Sequence, residues 1–182
     1  MYLIKVAAGL FELALMAVMS AVVIYITYRV FVKANPDFNM EEEIEKGNVA
    51  VGVLMGGILV SASIMLQRGL AAAVTMFRMQ LSSQPDAFPV WKGALYILGD
   101  MALSLSAAVF TISFTLRLFG KMTRRVHPEM RLGAELQRGN AAVGILLAAA
   151  VLIAGLYVGE GVSALTKALL PQPSIGRIQI MR

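Results

Sequence analysis

Among the chain's 182 residues there is no cysteine, which excludes disulfides, a thiolate nucleophile and any cysteine-based metal site. Histidine is almost as scarce. His127 stands alone, so one chain cannot assemble a multi-histidine metal centre. It precedes Pro128 in a polar connection, where it reads as a loop residue rather than a general base, and no nucleophile–base constellation surrounds it. The expectation is therefore a protein that is not an enzyme and carries no cofactor. Charge is thin as well. Asp, Glu, Lys and Arg make up 15% of the residues, against roughly 25% in ordinary soluble domains.

What fills the chain instead is apolar: 58% of residues are hydrophobic and the mean hydropathy is +0.74. Four runs stand out, Val6 to Tyr28, Val49 to Leu66, Val90 to Leu116, and Ala141 to Tyr157 with apolar residues continuing to Leu170. Each approaches or exceeds the ~20 residues that cross about 30 Å of hydrocarbon as a helix. Backbone polar groups in lipid must be satisfied within the segment, so these runs are expected as helices. The first run is long and holds Glu12, and no small-residue cleavage site follows before Arg29, so it reads as a retained helix rather than a signal peptide. The apolar stretch 69–81 either prolongs the second helix or lies along the interface, and 82–86 is a turn. Pro171 and Pro173 are expected to stop the fourth helix. The net charge of +5 comes from Lys and Arg at the ends of the apolar runs, which suits lipid headgroups and not nucleic acid. Tyr25 and Tyr28 near one boundary and Trp91 near the other fit interfacial aromatic belts.

The chain also repeats itself. Glu45-Lys-Gly-Asn-Val-Ala-Val-Gly52 returns as Gln137-Arg-Gly-Asn-Ala-Ala-Val-Gly144, 92 residues on, and Arg29-Val-Phe-Val-Lys33 returns as Arg117-Leu-Phe-Gly-Lys121, 88 residues on. The second spacing sets Glu12 opposite Asp100, both inside apolar runs. The expected fold is an all-α membrane protein, a single domain over 1–182 made of two two-helix units, about 1–81 and 82–182. Two crossings return the chain to its starting side, so the units have the same orientation and a pseudo-twofold axis along the membrane normal.

The doubled Lys/Arg-Gly-Asn-x-Ala-x-Gly, each copy opening an apolar helix in a four-helix chain, resembles the bacterial inner-membrane domain-of-unknown-function family 350. The resemblance covers nearly the whole chain. It implies a multi-pass location in the bacterial inner membrane and brings no catalytic residues with it.

Two sets of positions are candidates for function. The first is Lys46, Gly47 and Asn48 with Arg138, Gly139 and Asn140, where loop becomes helix. Asn is a favoured N-cap because its side-chain oxygen accepts an otherwise orphaned backbone N–H. The alternative is capture of an anion or headgroup by the positive helix ends, aided by Lys46 and Arg138. The second set is Glu12 and Asp100. A carboxylate in hydrocarbon is costly and usually faces the bundle interior or water. Each acid precedes an arginine by 17 residues, about 25 Å of helix, which puts it toward one edge of the hydrocarbon. They are either a proton or cation site or interfacial acids paired with Lys5 and Lys92. Small residues from Ala50 to Ser61 and from Ala142 to Ala149 read as close-packing helix surfaces, with a pore wall as the alternative. Arg68 and Glu160, at equivalent far ends, are expected as an ion pair, and the acidic and basic inner connections as solvated loops.

The connections 29–46 and 117–138 carry nine Lys/Arg against seven elsewhere, which places them in the cytoplasm and both termini outside. Function is expected along one of two lines. One is an oligomeric ion channel or ion-translocating protein using Glu12 and Asp100, with lipid and further copies of itself as partners. The other is a structural or scaffolding subunit of an envelope-associated complex that recruits an unknown protein partner through its charged loops.

Overall fold

The apolar runs become four long helices in the computed structural model, which describes residues 2–33, 39–83 and 90–169. Helix α1 spans Tyr2–Lys33, α2 Met40–Glu45, α3 Val49–Ser83, α4 Val90–Val126, α5 Leu132–Gln137 and α6 Ala141–Leu169. Four of them contain stretches long and apolar enough to cross a membrane: Glu12–Phe31, Val49–Ala71, Leu95–Val126 and Ala141–Leu169. Of the two courses open to the apolar stretch 69–81, it takes the first and prolongs α3 as a continuous helix. Helix α4 also runs beyond Leu116, the expected end of its apolar run, to Val126. It ends there because Pro128 disfavours helical geometry at His127. The expected stop at Pro171 and the rest of the turn after Ser83 lie outside the described residues, as do the side chains of Lys5, Trp91 and Lys92.

The two charged connections are not loops throughout, because each holds a six-residue helix. In α2, Asn39 caps the start by accepting from the backbone N–H of Glu41 (3.2 Å) and Glu42 (3.4 Å). Glu41, Glu42 and Glu43 then occupy the first turn, where negative charge meets the positive helix end. So short a helix is marginal alone. Burial holds each in place: Met40 of α2 and Leu136 of α5 are enclosed against the ends of the long helices.

Helix α3 is the axis of the bundle, with 56% of its membrane stretch enclosed against 17–33% for the other three. It packs most closely against α6. Ala50 faces Gly144, Gly57 faces Ala148, Ser61 faces Val151 and Gly155, and Arg68 reaches Glu160. The residue numbers rise together, so α3 and α6 run parallel. At Gly57 an added Cβ would lie 2.7 Å from the Ala148 Cβ, and at Gly144 it would strike the Ala50 backbone, 2.8 Å from Cα. The stripes of small residues therefore let two backbones touch, which is how helices associate in lipid, where apolar surface gains nothing by leaving its solvent. Ser61 Oγ adds a hydrogen bond to the Val151 carbonyl at 3.0 Å. Leu54, Ile58 and Met65 of α3 fill the remaining interior with Ile112 of α4 and Val151 of α6. The outward faces carry Leu13, Val18 and Ile24 of α1, Phe110 of α4 and Ile153 of α6, an apolar exterior suited to lipid.

The seam predicts a sharp contrast between glycines. Gly144→Ala should destabilise the protein by about 1–3 kcal/mol, the usual cost of overpacking. Gly52→Ala, where an added Cβ meets nothing within 4 Å, should be neutral or stabilising by up to ~1 kcal/mol through helix propensity. Thermal unfolding in detergent micelles checks both.

Candidate functional site

The two helix junctions are built alike. At the end of α2, Gly47 adopts φ +76°, and at the end of α5, Gly139 adopts φ +77°. This left-handed conformation is easy only for glycine. It closes the same pair of bonds in each place. The Gly47 N–H donates to the Ile44 carbonyl (2.9 Å) and the Asn48 N–H to Glu43 (2.9 Å); the Gly139 N–H donates to Leu136 (3.0 Å) and the Asn140 N–H to Glu135 (3.0 Å). These are Schellman closures, which satisfy the last carbonyls of a helix. The next residue of the chain already belongs to the following long helix, so one asparagine follows one helix end and opens another.

Around each junction a glutamate gathers the donors. Glu43 accepts from Lys46 Nζ (3.2 Å) and Asn48 Nδ2 (2.9 Å), and Glu135 from Arg138 Nη1 (2.9 Å) and Asn140 Nδ2 (3.0 Å). Lys46 also pairs with Glu42 at 2.8 Å. The cations named for anion capture are thus engaged by acids of their own chain. Glu43 and Glu135 were absent from the sequence candidates. The signal that finds them is in the sequence, since both precede the matched blocks at the same 92-residue spacing.

The junctions differ in one respect. The Asn48 oxygen caps α3, accepting from Ala50 (3.1 Å) and Val51 (3.3 Å). Its amide reaches across to the carbonyls of Leu136 (2.8 Å) and Gln137 (3.3 Å), the final residues of α5. The backbone carbonyls of both asparagines accept helix N–H groups, Asn48 from Gly52 (3.0 Å) and Asn140 from Val143 (3.1 Å) and Gly144 (3.2 Å), but among the described residues the Asn140 side-chain oxygen takes no such bond. The capping expectation holds for the Asn48 side chain, and Asn48 also ties the two halves of the chain together.

The second set of candidates lies at the opposite end of the long helices. Asp100 of α4 is 7% exposed, enclosed where α4 meets α3 and α6. Thr166 Oγ1 donates to its Oδ1. Its other oxygen, Oδ2, has no hydrogen-bond partner among the described residues, and neither does the buried hydroxyl of Ser104 one turn away. Both atoms face Gly69 of α3, where an added Cβ would strike Ser104 Oγ and lie 3.1 Å from Asp100 Oδ2. Glycine at this position is what leaves room for a carboxylate. Asp100 takes its bond from a threonine; Lys92, its candidate partner in the sequence, has its side chain outside the described residues. Glu12 sits differently, half-buried on α1. Thr166 and Ser104 could not be found from sequence, since Thr166 is an isolated hydroxyl 66 residues from the acid it contacts. Nearby, Arg68 and Glu160 form the expected ion pair between α3 and α6.

A family model described as Domain of Unknown Function (DUF350) matches residues 5–162. The chain belongs to that family. The match includes both junctions, Glu12, Asp100 and the four membrane stretches up to Val162, so the DUF350 region is the helical bundle itself. For this DUF350 member, neither the curated proteins nor the solved structures offer a match.

Two predictions follow from the junctions. Asn48→Ala should cost at least the ~0.5–2 kcal/mol of a lost helix cap, and more than Asn140→Ala, because only Asn48 bonds the carbonyls of α5; chemical or thermal unfolding of both variants measures the difference. The second concerns acid. Hydrogen bonds from Asn48 and then Lys46 hold the Glu43 carboxyl below its ordinary value of 4.5, and the bond from Asn140, aided by Arg138, does the same for Glu135. Folding therefore favours the ionised forms, so this stabilisation is complete above about pH 4.5 and disappears as pH falls through the lowered folded values. In an unfolding series across that range, the gap between the parent and the Glu43→Gln/Glu135→Gln variant should close toward acid.

Proposed function

We propose that the protein is a non-enzymatic ion-translocating component of the bacterial inner membrane. Its two units, about 1–81 and 82–182, are read as a duplication about a pseudo-twofold axis, with the inner connections cytoplasmic and both termini outside. Supporting the duplication, the α3–α6 contacts centre on the same 92-residue spacing as the repeated motif. Four helices packed as closely as these enclose little space, so a pathway between protomers of a homo-oligomer is favoured.

The observation that carries the reading is the Asp100 oxygen that has no hydrogen-bond partner among the described residues, within a stretch long and apolar enough to cross a membrane. A buried charge without compensation costs several kcal/mol, and bundles that keep one commonly use it on an ion or proton path. Asp100 is assigned the exchangeable proton or cation, Thr166 orients the carboxylate, Ser104 supplies a further oxygen, and Glu12 is the matching acid of the first unit. A scaffolding role has its own support in the exposed charges of the inner face, Glu41 and Glu42 on α2 and Arg124 and Arg125 on α4.

The test is flux through purified protein in liposomes. Asp100→Asn keeps the size of the side chain and the acceptor for Thr166, and should abolish flux while preserving, or raising, the heat stability of the folded protein. Transport equal to the parent's in that variant removes Asp100 from the path. Absence of flux in the parent, with a protein partner retained in mild detergent, favours the scaffold.

A further inference from the structure

Helices α1 and α4 part on the half of the membrane nearest the inner connections, and a groove of about 590 Å³ opens between them. That volume lies within the roughly 300–1,000 Å³ of small-molecule sites. Its walls are Ile26 and Val30 from α1 and Leu105, Val109, Phe110 and Phe114 from α4. The last two rings stack with centroids 5.9 Å apart and remain mostly open to the exterior, at 70% and 55% exposed. Arg117 completes the lining at the inner end.

Length and charge together specify the occupant. From Leu105 to Arg117 the wall rises about 18 Å along the helix, which matches one leaflet, half of the ~30 Å hydrocarbon thickness. Among the described residues no carboxylate lines the groove, and the formal charge along it, that of Arg117, is positive. Arg117 is exposed and takes part in no hydrogen bond or ion pair among the described residues. The matching arginine of the first unit is already engaged: Arg29 donates to the Tyr25 hydroxyl and lies over its ring at 5.7 Å. A guanidinium left open at the headgroup level presents the paired donors that phosphate oxygens accept. Basic positions between membrane helices on the inner side are suited to anionic headgroups.

We infer that the α1–α4 groove is a binding site for an anionic phospholipid, an acyl chain lying along Phe110 and Phe114 and the phosphate held by Arg117. This surface is separate from the Asp100 cluster and does not depend on ion movement.

The experiment is native mass spectrometry of the full chain in mild detergent, supplied with phosphatidylglycerol or with phosphatidylcholine of the same acyl chains. The parent should retain phosphatidylglycerol preferentially. Arg117→Gln, at an exposed position, should lower that preference about fivefold, the equivalent of one arginine near a lipid surface. Arg125→Gln removes the same charge away from the groove and should leave the preference intact. Ser106 of α4 also lines the groove, and Ser106→Phe, which fills it, should reduce retention of both lipids. An unchanged preference in Arg117→Gln overturns the site, and so does an equal loss in Arg125→Gln, which would mark general charge attraction. Disulfide-linked dimers from a cysteine at Ser106, with lipid retention unaffected by Ser106→Phe, would assign the groove to a second copy and overturn it too.

Discussion

The rest of the bundle depends on backbone contact between α3 and α6. In lipid, apolar side chains gain nothing by turning inward, so association must come from dispersion at short range and from hydrogen bonds. Gly144 against Ala50, Gly57 against Ala148 and Gly155 against Ser61 provide that approach. Helices α1 and α4 pack against this pair, α1 through Met19 and Val23 and α4 through Ala108 and Ile112. A like closeness between α3 and α4 creates the Asp100 niche, because α3 presents Gly69 where any side chain would collide with Ser104.

Packing two helices in parallel also sets an electrostatic problem. Their positive ends lie on the same side, each equivalent to roughly half an elementary charge. Glu43 and Glu135 stand at those ends, one beside each, and hold the two asparagines as well. The repeated motif thus neutralises the arrangement that the seam demands. Lys46 and Arg138 complete each cluster by pairing with those acids.

Much of this was legible in the sequence for a specific reason. Membrane helices are signalled by length and apolarity alone, and a motif occurring twice reinforces itself, so the four crossings, the junction residues and the Arg68–Glu160 pair could be read directly. The short helices α2 and α5 could not, since six residues carry no periodic signal and are held by tertiary burial of Met40 and Leu136. The acid pair was legible as chemistry but not as geometry. Nothing local distinguishes Asp100, enclosed by three helices, from Glu12, half-exposed on one, and nothing local ties Asp100 to Thr166. Such facts arise from how helices distant in sequence are brought together.

The Asn48 bridge has a mechanical consequence. Its amide holds the last carbonyls of α5 while its oxygen holds the first turn of α3, and the three residues between α2 and α3, like the three between α5 and α6, all donate back to the preceding short helix. The two junctions are thereby geared to each other. From these junctions α3 and α6 run as continuous helices to the far end, where Gly69 and Thr166 form walls around Asp100, so the same two rods frame both sets of polar groups.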